Sequence, residues 1–179
     1  MVFLDESGLL LLPVVRRTWS RRGETPVLRH VGRNHKKVSA IAALCVSPDR
    51  REVRLYFQLL VDANFNRAAV RAFLKQLARH FHDPLLLLWG RAKIHGGLHT
   101  EVLLDVMEWR HFYFPPYAPE LNPVEYLWSY LKTNPLANLA CPEVALLAAA
   151  GRRHARSLQH QPDLLRSFIR HSPLSLRLS

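Results

Sequence analysis

LLLLWGRAKIHGG, residues 85–97, is a run of four leucines and a tryptophan that stops at Gly90 and passes directly into Arg91, Lys93 and His95. Five consecutive apolar side chains read as a short strand buried on both faces, as a central strand of a covered sheet must be. Just upstream, Val70, Phe73, Leu74, Leu77 and Phe81 recur at helical spacing between Asn66 and Phe81, and Asp83-Pro84 breaks that helix. A helix leading into a doubly buried strand requires a layered α/β fold.

Working outward, residues 1–15 (MVFLDESGLLLLPVV) read as a strand, a turn at Ser7-Gly8 and a second strand. Residues 38–46 and 53–60 are further strands. Ser47-Pro48-Asp49-Arg50 between them has turn composition and predicts a hairpin. Downstream, residues 100–109 are helical, His111 to Phe114 form a short strand, and Pro115-Pro116 stops it. Asn122-Pro123-Val124-Glu125 is a helix start, with Asn as N-cap, Pro at the first helical position and Glu at the third. Val124, Leu127, Trp128 and Leu131 then face a core, Asn134-Pro135 ends the helix, and helices fill 143–158 and 164–171. Three antiparallel strands followed by alternating helices and strands predict a ribonuclease-H-like domain. Its mixed five-stranded sheet is expected to carry helices on both faces, with the whole chain as one domain.

The 179 residues carry 25 Lys and Arg against 14 Asp and Glu, a net charge of +11. That charge is uneven: +6 over residues 1–60, zero over 61–150 and +5 over 151–179. Residues 16–37 hold eight basic side chains and one Glu, so polyanion binding is the natural reading. Arg16, Arg17, Arg21, Arg22, Lys36 and Lys37 are candidate phosphate contacts, with Trp19 available for stacking. Arg67, Arg71, Lys75 and Arg79 form a second basic stripe on the helix, either a solvated face or a phosphate track. Cys45 and Cys141 lack a pairing pattern and suit buried sites in a reducing compartment. No apolar run approaches the roughly 18 to 20 residues of a membrane helix, so no membrane partner and a cytoplasmic location are expected.

Two carboxylates stand where burial should forbid them. Asp5 interrupts the first apolar strand, and an isolated carboxylate there costs several kcal/mol unless it meets a cation or metal. Its alternative role is to cap the Ser7-Gly8 turn. Glu125 lies in the first turn of a helix that turns Trp128 inward, and a capping box alone would explain it. His95 and His99 have the spacing of a helical metal pair, but Gly96-Gly97 between them argues against a regular helix.

FLDESG (3–8), RTWSRRGETPVL (17–28), KKVSAIAAL (36–44), LLLLWGRAKIH (85–95) and FPPYAPELNPVEYLWSYLK (114–132) together resemble the catalytic domain of mariner-like DDE transposases, most closely their bacterial insertion-sequence branch. The resemblance covers nearly the whole chain, and PPYAPELNPVEYLW is its most specific part. It implies an Asp on the first strand, an Asp ending the fourth and a Glu on a later helix, binding two divalent metals. Asp5 matches the first and Glu125 the third. Family spacing leaves 34 residues between the second and third positions, as separate Gly90 from Glu125 here. Where the family reads Trp-Asp-Asn-x-x-x-His, this chain has Trp89-Gly90-Arg91 and, after three residues, His95. The second carboxylate is replaced by glycine and its Asn neighbour by arginine.

The resemblance implies DNA strand cleavage and transfer with Mg²⁺ or Mn²⁺, acting on transposon ends and target DNA. Metal binding and turnover are expected to be weakened by Gly90 and Arg91. Asp83 and Glu101 are poor substitutes, the first on the far side of Pro84 and the second beyond the Gly96-Gly97 break. His95 joins the DNA-contact candidates. Asp5 follows only four residues, so a helix-turn-helix recognition domain is expected to be absent and binding to be backbone-directed. A nucleoid-associated bacterial protein is expected. The rival reading is a non-catalytic DNA-binding or transposase-interacting remnant, as a homodimer or in a heteromer with an intact copy. A third is half of a product whose upstream frame supplies the missing N-terminus.

Overall fold

A computed structural model describes residues 1–28 and 36–179. Arg29 and Arg33 of the basic stretch lie outside the described residues. Strand β1 (Val2–Leu10) is followed by β2 (Lys37–Val46), β3 (Val53–Val61), helix α1 (Arg67–Ala78) and β4 (Leu86–Trp89). Helix α2 (Leu98–Val106), β5 (Arg110–Tyr113), a 3-10 turn (Pro119–Leu121) and helices α3 (Pro123–Thr133), α4 (Val144–Gln159) and α5 (Pro162–His171) complete the order. The strands form one five-stranded sheet in the order β3-β2-β1-β4-β5. β1, β2 and β3 are antiparallel neighbours, while β4 runs parallel to β1 and to β5.

Alternation along β1 divides the molecule into two layers. Phe3 faces a core with Ala42, Leu44, Leu127, Trp128 and Phe168, beneath α3, α4 and α5. Val2 and Leu4 face the opposite core, with Val70, Leu74, Leu87, Trp89 and Leu104 beneath α1 and α2. Leu87 and Trp89 of β4 are buried and Leu86 and Leu88 half-buried, a weaker covering than the doubly buried strand expected.

Gly8 does not turn the chain. β1 pairs with β2 without interruption from Val2 opposite Cys45 to Leu10 opposite Lys37, and Gly8 sits across from Ser39. Leu9 and Leu10 continue the same strand, and Leu9 packs with Leu11, just past its end, beside Leu136 and Leu147 in a third cluster. The hairpin between β2 and β3 forms as expected, closed by Ser47 and Asp49. Asn66 caps α1 by accepting from the Ala69 N–H at 2.9 Å. Both cysteines are free and buried. No helix among the described residues is long and apolar enough to cross a membrane.

Candidate active site

Parallel pairing matches Val2 with Leu87 and Phe3 with Leu88. Extended two residues, that register sets Gly90, just past the carboxyl end of β4, beside Asp5 in the middle of β1. From the other side Asn122 brings in α3. Its side chain accepts from the Val124 N–H at 3.2 Å and donates to the Leu4 carbonyl at 3.1 Å, so the capping residue also ties the helix to β1. Asp5, Gly90, Arg91, Asn122 and Glu125 thereby line one cavity of about 220 Å³.

The two alternative roles of the acids do not describe this geometry. Asp5 stands mid-strand opposite Ala42, with no turn to cap. The Asn122 N–H bonds to the Pro119 carbonyl at 2.9 Å, the donor that a capping box would assign to the Glu125 carboxylate. Burial, then the Glu125 and Glu6 charges, push the Asp5 carboxyl up to about 7, against opposing hydrogen bonds from the Glu6 backbone and Trp128. The indole Nε1 of Trp128 donates to Asp5 Oδ2 at 3.0 Å. A buried carboxylate facing another acid calls for a cation.

Glu6, one residue on, faces the other layer and has its cation inside the protein. His95 Nε2 lies 2.8 Å from Glu6 Oε2, and Nδ1 lies 2.5 Å from the Gly90 carbonyl. Carboxylate and carbonyl oxygens accept, so this placement favours the ring with both nitrogens protonated. Burial opposes that charge, but the hydrogen bond and charge of Glu6, the Gly90 carbonyl and Asp5 outweigh it and raise the His95 pKa. Trp89 stacks on the ring at 4.5 Å with 3° between planes. His95 is therefore no surface contact for DNA: it is 1% exposed, and both nitrogens are used within the protein. Its role is to hold the end of β4 against β1. His99 is exposed on α2 beyond Gly97, so the two histidines do not pair.

Glu6 escaped the sequence reading because its partner lies 89 residues away. The available signal was a second acid beside Asp5 and a histidine placed five residues after Gly90. Arg16, Arg17, Trp19, Arg21 and Arg22 are exposed on the segment leaving β1, away from the acids' cavity wall. Asn138 fixes the start of that segment through both backbone groups of Arg16, at 2.8 and 2.9 Å. Lys36 is exposed and pairs with Asp62 at 3.8 Å, while Lys37 is half-buried in β2. Asp83 lines a separate cavity with Trp109, and Glu101 is exposed in the first turn of α2, so neither joins Asp5 and Glu125.

Residues 1–145 match the sequence profile described as DDE superfamily endonuclease. The chain belongs to that family. No curated protein matches in sequence. Among solved structures, the DDE domain is similar to the Mos1 transposase paired-end complex with left transposon end, at 17% identity and TM-score 0.68, over 96% of this chain and 50% of that one. The mariner Mos1 paired end complex with Mg gives 16% identity and TM-score 0.64, over 98% and 56%. The isolated catalytic domain of Mos1 mariner transposase gives 14% and 0.56, over 98% and 83%. The chain thus spans about half the length of the first two proteins, and the shared fold is the ribonuclease-H-like sheet and helices.

Asp5 and Glu125 are the carboxylates of this cavity and the oxygen donors that would hold a divalent ion, while Gly90 beside Asp5 offers no side-chain donor. No group of three or more His, Cys, Asp or Glu among the described residues could hold a metal. A Cβ at Gly90 would meet nothing within 4 Å, so a side chain there would start in open space.

Proposed function

We propose that this chain is a transposase catalytic domain of an insertion sequence, acting on transposon-end and target DNA, whose strand cleavage is impaired by loss of its second carboxylate. The open space at Gly90 beside Asp5 and Glu125 carries the reading. The match of 98% of this chain to an isolated catalytic domain supports one domain. Divalent metal dependence is supported by relatives solved with Mg and Mn.

A divalent ion held by Asp5 and Glu125 would supply charge stabilisation to an oxygen at phosphorus. This chain's contribution is to hold Asp5 through the Trp128 indole, bring Glu125 opposite it through Asn122, and fix the β4 terminus through His95. Arg91 adds a positive charge beside the Gly90 position, opposing occupancy of a second ion there.

The test is nicking and strand transfer on terminal-repeat DNA with Mg²⁺ or Mn²⁺. The unmodified chain should run several orders of magnitude below Gly90→Asp, alone or with Arg91→Asn, since each ~1.36 kcal/mol of lost stabilisation is tenfold in rate. Equal rates in the two would refute the impairment. The second reading, a DNA-binding module that associates with an intact copy, is favoured by the same missing ligand together with the net charge of +11. It predicts that Gly90→Asp stays silent while DNA binding persists.

A further inference from the structure

The basic stripe of α1 and the departure at Arg91 meet in one place. A second cavity, of about 330 Å³, opens beside the first and shares Arg91 with it. Arg67, Arg91 and Lys93 line it together with Gly96, Gly97 and Tyr113, and no carboxylate does. Three cations converging without a counter-ion repel one another, so the arrangement favours an anion.

Each cation has its own support. Arg67 Nε donates to the Lys93 carbonyl at 3.0 Å, which ties the loop after β4 to the start of α1 and leaves the terminal nitrogens of Arg67 for another acceptor. Arg91 lies over the Tyr113 ring, 5.5 Å from its centroid, where the aromatic face steadies the guanidinium without neutralising it. Gly97 has φ of 112°, a left-handed conformation that favours glycine, at the turn that lines the cavity. Arginine forks match the oxygens of a phosphate, and lysine adds a mobile point charge.

We propose that Arg67, Arg91 and Lys93 form a phosphodiester subsite that grips the DNA backbone beside the active cavity without a divalent ion. The proposal rests on the reading of the chain as a DNA-binding transposase domain. Arg91 then has two effects: it discourages a metal at the Gly90 position and offers a fixed cation to a neighbouring phosphate. The subsite positions the backbone and reads no sequence.

The test is fluorescence anisotropy of the full chain with a short labelled DNA duplex in EDTA, across a salt series from about 0.05 to 0.2 M. Arg91→Ala with Lys93→Ala should weaken binding about tenfold or more and reduce the slope of log K against log salt by about two. Arg91→Glu should weaken it further. Both residues are exposed, so melting by circular dichroism should stay unchanged. Unchanged affinity and slope in the double variant would overturn the subsite, as would absence of wild-type binding in EDTA. Inorganic phosphate that binds through Arg91 and Lys93 while duplex affinity ignores both would assign the cavity to free phosphate and overturn the DNA assignment. A loss of duplex binding in the double variant, with Gly90→Asp still inactive in cleavage, leaves the subsite standing and removes only the cleavage reading.

Discussion

Asp5 and Glu6 are adjacent in sequence and opposite in circumstance. Glu6 faces the α1 and α2 layer and meets the His95 ring at 2.8 Å, a pairing that favours the protonated imidazole. Asp5 faces α3, where burial and two neighbouring acids push it up to about 7 and an indole N–H is its side-chain donor. A carboxylate that has an internal cation needs no ligand and becomes part of the scaffold. One that lacks it marks where a cation from solution is wanted.

The largest break in that contrast is His95→Ala. It leaves Glu6, whose side chain is 16% exposed, without its cation and frees the end of β4, so stability should fall by about 3 kcal/mol in denaturant titration. A loss below about 0.5 kcal/mol, the level of an exposed ion pair, would show the Glu6 side to be no better satisfied than the surface.

Asp5→Asn should act in the opposite direction. Because the folded carboxyl is raised from 3.8 to about 7, Asp5 holds its proton more tightly in the folded state, and its contribution to stability is lost as pH rises from about 4 to 7. Removing the charge should stabilise the protein by about 2 kcal/mol above pH 7 and flatten that decline. His95 works in a higher window. Its folded pKa lies above 6.5, so its stabilisation is complete below that pH and fades as pH rises through the folded value. Glu6→Gln should remove the upper decline and leave the lower one, a separation that chemical denaturation at stepped pH would resolve.

Trp128→Phe is the smallest change. It deletes the hydrogen bond to Asp5 Oδ2 and should cost about 1 kcal/mol at alkaline pH, where Asp5 is ionised, and less in acid. Equal cost at both ends of the pH range would separate Trp128 from Asp5.

Much of this frame is legible locally. The β2–β3 hairpin follows from turn residues, α1 from apolar spacing, α3 from a capping Asn and apolar spacing, and Asp5 from a charge inside an apolar strand. Gly8 misled because a glycine after serine has turn composition, while cross-strand pairing to Ser39 and burial of Leu9 hold the chain extended. For Glu125 the local pattern offered two explanations. Only the diversion of the Asn122 N–H to Pro119 separates them, and that bond depends on the 3-10 turn before the helix. The Glu6–His95 pair and the meeting of Arg67 with Lys93 join segments 89 and 26 residues apart, distances over which periodicity carries no information.

The proposed impairment requires a cavity that lacks one metal ligand, at position 90. Calorimetric titration with Mn²⁺ of the unmodified chain and of Gly90→Asp tests it without requiring turnover. One weak ion at most is expected in the unmodified chain, and a second, with at least about tenfold tighter binding, in Gly90→Asp, no less than the change that loss of an outer-shell partner of a metal ligand brings. Two ions bound with equal affinity in both proteins would contradict it.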